Sequence, residues 1–193
     1  MSGFITVGYF LISLFFSLLL FVLWARLALR YFRVSALHPV SQAINKFTNP
    51  LLQPIERLIY PQPQKTQIQR YDWVCFGMII AVEFLKFILL GLLLYKTLMP
   101  LSYLILFVLA DLIVQPCNLL FYIILIRVIM SWVNPMWHNP VADVMKMVTE
   151  PLLRLGRQLV PDISGFDFSP FIIMIILKVI TLFMSASLPL KLV

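Results

Sequence analysis

The sequence predicts an all-α membrane protein. Four transmembrane helices form two parallel two-helix repeats, each with a kinked amphipathic interfacial helical segment between its spans. Three observations predict this. Arg26, Pro39-Val40 and Thr48-Asn49-Pro50-Leu51-Leu52 recur 101 residues later as Arg127, Pro140-Val141 and Thr149-Glu150-Pro151-Leu152-Leu153. Internal repetition of this kind fixes the architecture before any local detail. The 193 residues are 62% hydrophobic and 12% charged, with a mean hydropathy of +0.97. Soluble domains have roughly 45–50% apolar and about 25% charged residues. Lys and Arg, finally, collect in two of the loops.

Four apolar segments are long enough to span, given a need for about 20 residues each: Phe4–Ala25, Trp73–Leu94, Tyr103–Ile126 and Phe171–Leu188. The first lacks the basic n-region and small-residue cleavage site of a signal peptide. The loop between spans one and two holds Arg26, Arg30, Arg33, Lys46, Arg57, Lys65 and Arg70, and that between spans three and four holds Arg127, Lys146, Arg154 and Arg157. The remaining loop has Lys96 and the C-terminal tail Lys191. The positive-inside bias puts both long loops in the cytoplasm and both termini outside. Trp24, Trp73 and Trp132 fall at the cytoplasmic ends of spans, where amphipathic rings suit the head groups. The repeats divide the chain into 1–98 and 99–193, related by an axis along the membrane normal.

Each long loop carries an amphipathic helical pattern. Val40, Ile44, Phe47, Leu51 and Ile55 share a face, as do Val141, Val144, Val148, Leu152 and Leu155, with Asp143, Lys146, Glu150, Arg154 and Arg157 opposite. Such segments lie in the membrane interface. Pro50 and Pro151 stand at equivalent places and predict two short helices with a joint. Only the first copy has the extra stretch Pro61–Gln64.

Charges inside apolar spans are costly and mark function or close pairing. There are four: Glu83, Lys86, Asp111 and Lys178. At 1.5 Å per residue, Glu83, Asp111 and Lys178 each lie about 15 Å deep, near the midplane. Lys86 lies nearer the outer face, within snorkelling reach of it. Alignment of the repeats on Asp72 and Asp167 sets Glu83 opposite Lys178, so the two are expected to face the bundle interior and pair with each other or with Asp111. Asp111, Gln115 and Asn118 form an inward polar stripe at i, i+4 and i+7. Buried ion pairs that lock four helices explain this set, and so does an ion or proton pathway. Pro116 is the one helix-breaking signal in the third span.

No P-loop, dinucleotide fingerprint, catalytic triad or zinc motif appears, and no enzyme is expected. No cofactor or metal is expected either. His38 and His138 lie outside any haem-attachment motif, and Cys75 and Cys117 have no metal or disulfide spacing. The net charge of +7 sits between apolar runs, which points to anionic lipid head groups and not to nucleic acid.

In the second copy, Arg127-Val-Ile-Met-Ser131-Trp132, Asn139-Pro140, Thr149-Glu150-Pro151-Leu152-Leu153, Arg157, Pro161 and Gly165-Phe-Asp167-Phe-Ser169-Pro170 resemble the YGGT repeat. That repeat belongs to the YggT family of small bacterial integral membrane proteins, which has relatives in chloroplasts. The first copy departs from it, with Arg30-Tyr31 for Ser131-Trp132, Glu56 for Arg157 and Val74-Cys75 for Ser169-Pro170. The resemblance implies the bacterial cytoplasmic (inner) membrane. It also implies a non-enzymatic scaffold or assembly factor at the cytoplasmic face, acting in envelope stress or cell division. The alternative is a small transporter or channel component that uses Glu83, Asp111 and Lys178. Expected partners are the bilayer, its anionic head groups, and other membrane proteins or a second copy; no small-molecule substrate is identified. Trp132, Arg154, Arg157, Asp167, Ser169 and Pro170 are the expected partner-binding set, because Arg and Trp concentrate interface energy. The last three also read simply as the cap of the fourth span.

Overall fold

The computed structural model describes residues 3–59, 72–133, 139–159 and 167–188. Among the described residues there are six helices and no strand: α1 (Gly3–Tyr31), α2 (Pro39–Ile59), α3 (Trp73–Tyr95), α4 (Leu101–Val133), α5 (Pro140–Leu159) and α6 (Ser169–Ser187). The helices α1, α3, α4 and α6 are long and apolar enough to cross a membrane. The chain is a multi-pass membrane protein. Pro61–Gln64, His138, Pro161 and Gly165 lie outside the described residues.

The spans keep their expected order, but α1 and α4 run past their apolar stretches to Tyr31 and Val133. Hydropathy ends a span at its first Arg, whereas backbone hydrogen bonding ends only at a breaking residue or a cap. For α1 that stop is a Schellman turn. Arg33 adopts φ 55°, its N–H bonds the Arg30 carbonyl at 3.0 Å, and the Val34 N–H bonds that of Leu29 at 2.9 Å. At the head of α3, the Asp72 carboxylate accepts from the Cys75 N–H at 3.0 Å, filling one of the free first-turn amides.

The joints expected at Pro50 and Pro151 do not form, since α2 and α5 each continue through their prolines. A proline removes only one backbone bond. The neighbouring Leu52 and Leu153 are fully buried in the repeat cores, which holds both sides of the gap in one helix.

The two cores are equivalent. Leu23 and Leu52 pack with Ile79 and Val82 in the first repeat, and Ile124 and Leu153 pack with Met174 and Leu177 in the second. Within each repeat the two spans pack most closely on one another, α1 on α3 and α4 on α6. The repeats meet through α3 and α4, where the rings of Phe87 and Phe107 stack at 5.5 Å. At the basic end they meet again through Leu29, Val144 and Val148. No contact joins α1 to α6, so a gap remains between them over α4. Gly156 brings α5 against the start of α6: a Cβ there would lie 3.0 Å from Ser169 Cβ and 3.2 Å from the Ser169 carbonyl.

Candidate functional site

The repeated Arg and Thr are the two halves of a clamp. In the first repeat, Arg26 on α1 donates to Thr48 Oγ1 at 2.7 Å and Asn49 Oδ1 at 2.8 Å on α2. It also meets Glu56 at 3.3 Å and Asp72 at 3.4 Å, and Arg30 meets Asp72 at 2.9 Å. In the second repeat, Arg127 donates to Thr149 Oγ1 at 2.7 Å and Glu150 at 3.1 Å. Arg157 then bridges Glu150 at 2.9 Å and Asp167 at 3.1 Å. Asn49 and Glu56 thus become Glu150 and Arg157: the acid moves seven residues, about two helical turns, towards the N-terminus and a base takes its position. Each clamp is built on two cations and two carboxylates, and the second has Arg154 at its edge, 3.9 Å from Glu150. The first is the drier, with the Arg26 side chain 3% exposed and that of Arg127 22%.

Charge-assisted bonds tune the second clamp. The hydrogen bond from Arg157, more than that from Arg127, holds the Glu150 carboxyl below the usual range. Burial works against ionisation of Asp167, but hydrogen bonds from Ser169 and Arg157 outweigh it and lower its pKa. Glu150 and Asp167 in turn raise that of Arg157.

These pairs change the expected partner-binding set. Arg157 and Asp167 are engaged within the chain. Asp167 accepts from the Ser169 N–H at 2.9 Å, Ser169 is buried, and Pro170 is in the first turn of α6. These four residues fasten α5 to α6 and cap the span. Trp132 and Arg154 are both well exposed; Arg154 lies at the edge of the clamp, and the Trp132 ring is 6.2 Å from that of Phe171.

The intramembrane charges also pair differently from the expectation. Lys86 does not snorkel; it is buried, bonded to Asp111, and 3.7 Å from Glu83 one turn away. Glu83 is fully buried and neither of its oxygens accepts a hydrogen bond. Gln115 donates to Asp111 at 3.2 Å, as the polar stripe required. Lys178 does not pair with Glu83 or Asp111. It is exposed, with its amine 5.8 Å from the centre of the Phe121 ring. Repeat equivalence failed here because Glu83 has a cation at i+3 on its own helix, and a local partner costs less ordering than a distant one.

Two cavities flank this core. A polar one of about 250 Å³ fills the gap between α1 and α6. Lys86, Asp111, Gln115, Asn118 and Lys178 line it, and so do Tyr9, Ser13, Ser17, Thr181 and Ser185, which were not singled out in the sequence. Their signals were an i, i+4, i+8 stripe on α1, Tyr9, Ser13 and Ser17, and an i, i+3, i+7 stripe on α6, Lys178, Thr181 and Ser185. An apolar groove of about 1020 Å³ opens at the basic end, walled by Trp24 and Leu27 of α1, Trp73 and Phe76 of α3, Leu119 of α4, and Pro151 and Leu155 of α5. No group of three or more His, Cys, Asp or Glu side chains able to hold a metal occurs among the described residues. His38 Nδ1 accepts from the Val40 N–H at the start of α2.

The CCB3/YggT family model matches the chain twice, over residues 5–93 and 102–188. A protein of Vibrio alginolyticus, described as an uncharacterized protein in the proC 3′ region, is 35% identical over 167 residues, which is 86% of each chain. The uncharacterized protein YggT of Escherichia coli K12 is 31% identical over 90% of this chain and 86% of its own. An uncharacterized protein of Haemophilus influenzae is 29% identical over 84% and 83%. No solved structure matches. The chain belongs to the CCB3/YggT family.

Proposed function

From that membership we propose that the chain is a non-enzymatic scaffold or assembly factor of the bacterial cytoplasmic membrane. In this reading its working surface is the apolar groove at the cytoplasmic end, which receives a helix of another membrane protein. One observation carries the reading: the groove, about 1020 Å³ in volume, lies where the two repeats do not close on each other. Its walls are rigid spans and the stretch of α5 around Pro151. Two clamps fix the surface helices, so the groove is preorganised and a partner meets little ordering cost. Trp132 and Arg154 sit on the same end, exposed and of types that anchor interfaces. The process served, envelope stress response or cell division, follows from the partner's identity.

Photo-crosslinking in cells tests this. A photoreactive residue replacing Leu155 is expected to capture a discrete membrane protein, and one replacing lipid-facing Val179 is not. Lipid adducts alone at both positions overturn the reading. A second reading, a small transporter or channel component, is favoured by the polar cavity on Asp111 and Lys178.

A further inference from the structure

We propose that the polar cavity between α1, α4 and α6 is a hydrated binding site for one small inorganic anion, of halide or nitrate size, with Lys178 as its counter-charge. The inference is independent of the scaffold reading, and it names the kind of ion the transport reading would move.

Lys178 is the starting point. It stands at the middle of α6, about 14 Å from either end at 1.5 Å per residue, beyond the reach of a lysine chain to either head-group layer. Among the described residues no carboxylate lies within ion-pair distance of it, whereas Lys86 is shared by Asp111 and Glu83. The Phe121 ring faces its amine at 5.8 Å, a weak attraction at the outer limit of cation–π range. A cation at the centre of a spanning helix is costly, and one ring contact leaves it undercompensated.

The surroundings supply what an anion needs. Ser13 and Ser17 of α1, Asn118 of α4 and Ser185 of α6 line the cavity, and none of their side chains has a partner among the described residues. Hydroxyl and amide N–H groups are donors. The basic and acidic side chains of the lining are Lys86, Lys178 and Asp111; Lys86 is already paired with Asp111 and Glu83, which leaves Lys178, among the described residues, as the ammonium group without a carboxylate. Glu83 lies behind Lys86 and does not line the cavity. A cation would meet the unpaired Lys178 ammonium, whereas a single anion compensates it. Size limits the ligand further: 250 Å³ holds about eight waters at about 30 Å³ each. A halide or nitrate with part of its hydration shell fits there.

The test uses the full-length protein in lipid nanodiscs. Thermal unfolding is followed in sodium chloride and in sodium gluconate at equal ionic strength, gluconate being a large, strongly hydrated anion. The expected result is a midpoint that rises with chloride and saturates, together with broadening of the chloride-35 resonance that nitrate competes away. Lys178→Met is expected to lose both responses completely, Lys178→Arg to keep them, and Arg154→Gln on the surface to keep them. Equal midpoints in both salts without chloride broadening would overturn the proposal. So would a chloride response that survives Lys178→Met, or one that Arg154→Gln removes, since that is adsorption at the basic surface. Efflux of radiolabelled chloride from proteoliposomes separates the readings. Binding with efflux no faster than in protein-free liposomes upholds the site and removes the transport reading, and binding with efflux that Lys178→Met stops upholds both.

Discussion

Exchanging the second clamp for the first, one residue at a time, is the sharpest perturbation the repeat offers. Glu150 accepts from Arg127 at 3.1 Å and Arg157 at 2.9 Å. Bonds to charged groups contribute about 1.5–3 kcal/mol each. These side chains are 22–39% exposed, which moves the value towards the 0.2–1 kcal/mol typical of surface pairs. About 1 kcal/mol per bond is the working figure, so Glu150→Asn is expected to cost about 2 kcal/mol. Arg157→Glu loses two bonds and sets a carboxylate beside Glu150 and Asp167, for about 3 kcal/mol. Together the two changes recreate the Asn49 and Glu56 pattern, in which the acid faces the central Arg. The double variant is expected to lose only about 2 kcal/mol, a coupling of about 3 kcal/mol, at the upper end for contacting residues. The remainder has a cause: Asp167 loses its cation, where the first repeat supplies Arg30 and the second has Ser131. Adding Ser131→Arg is expected to recover most of it. Reversible unfolding in mixed detergent micelles measures all four proteins. If the double variant's loss equals the sum of the singles within about 0.5 kcal/mol, the clamp does not work as a unit and the reasoning fails.

Four further outcomes are expected. Arg26→Met should destabilise by about 3 kcal/mol, because it removes the buried donor shared by Thr48, Asn49 and Glu56 and leaves Asp72 with Arg30 alone; the more exposed Arg127→Met should cost less in the same unfolding assay. Gly156→Val should lift α5 from α6, since even a Cβ meets Ser169 at 3.0 Å; a disulfide trap between the two helices should form more slowly in that variant. Lys86→Met should lower yield more than Lys86→Met combined with Asp111→Asn, since the single change leaves a buried carboxylate unpaired; equal yields would contradict the triad. The folded-state pKa values of Glu150 and Asp167 are depressed below their ordinary 4.5 and 3.8. The second clamp should therefore be fully effective above about pH 5 and weaken as the pH falls through the lowered values, a loss that Glu150→Gln with Asp167→Asn should flatten in a melting series from pH 7 to 3.

Four spans, two surface helices and their order were legible because lipid enforces long apolar runs and duplication repeats the signal. The ends were less so: hydropathy cannot see that α1 continues to Tyr31, because an Arg stops a membrane crossing but not a helix. Pro50 and Pro151 misled for a related reason, as packing of the adjacent leucines outweighs one lost bond. The inward stripe Asp111, Gln115 and Asn118 was readable from spacing within one helix. The partner of Glu83 was not, since choosing between Lys86 and Lys178 requires knowing how α6 is rotated about its axis. The clamp was visible only as a recurrence. Arg26 and Thr48 are 22 positions apart, as are Arg127 and Thr149, and that regularity looked like a family mark until the side chains met.

The exchange of acid and base between the clamps has a consequence for assembly of the chain in the bilayer. Native pairing leaves each set neutral: Arg26 and Arg30 with Glu56 and Asp72, Arg127 and Arg157 with Glu150 and Asp167. Had the surface helices docked on the wrong spans, Arg26, Arg30 and Arg157 would face Asp72 and Glu150, and Arg127 alone would face Glu56 and Asp167. One half would hold a surplus positive charge and the other a surplus negative one, and Glu56 and Asp167 would repel each other. Two near-identical modules made in succession are prone to such cross-docking. The relocated carboxylate thus sets a charge mismatch against cross-docking, so the native pairing of each surface helix with its own spans is the electrostatically favoured one.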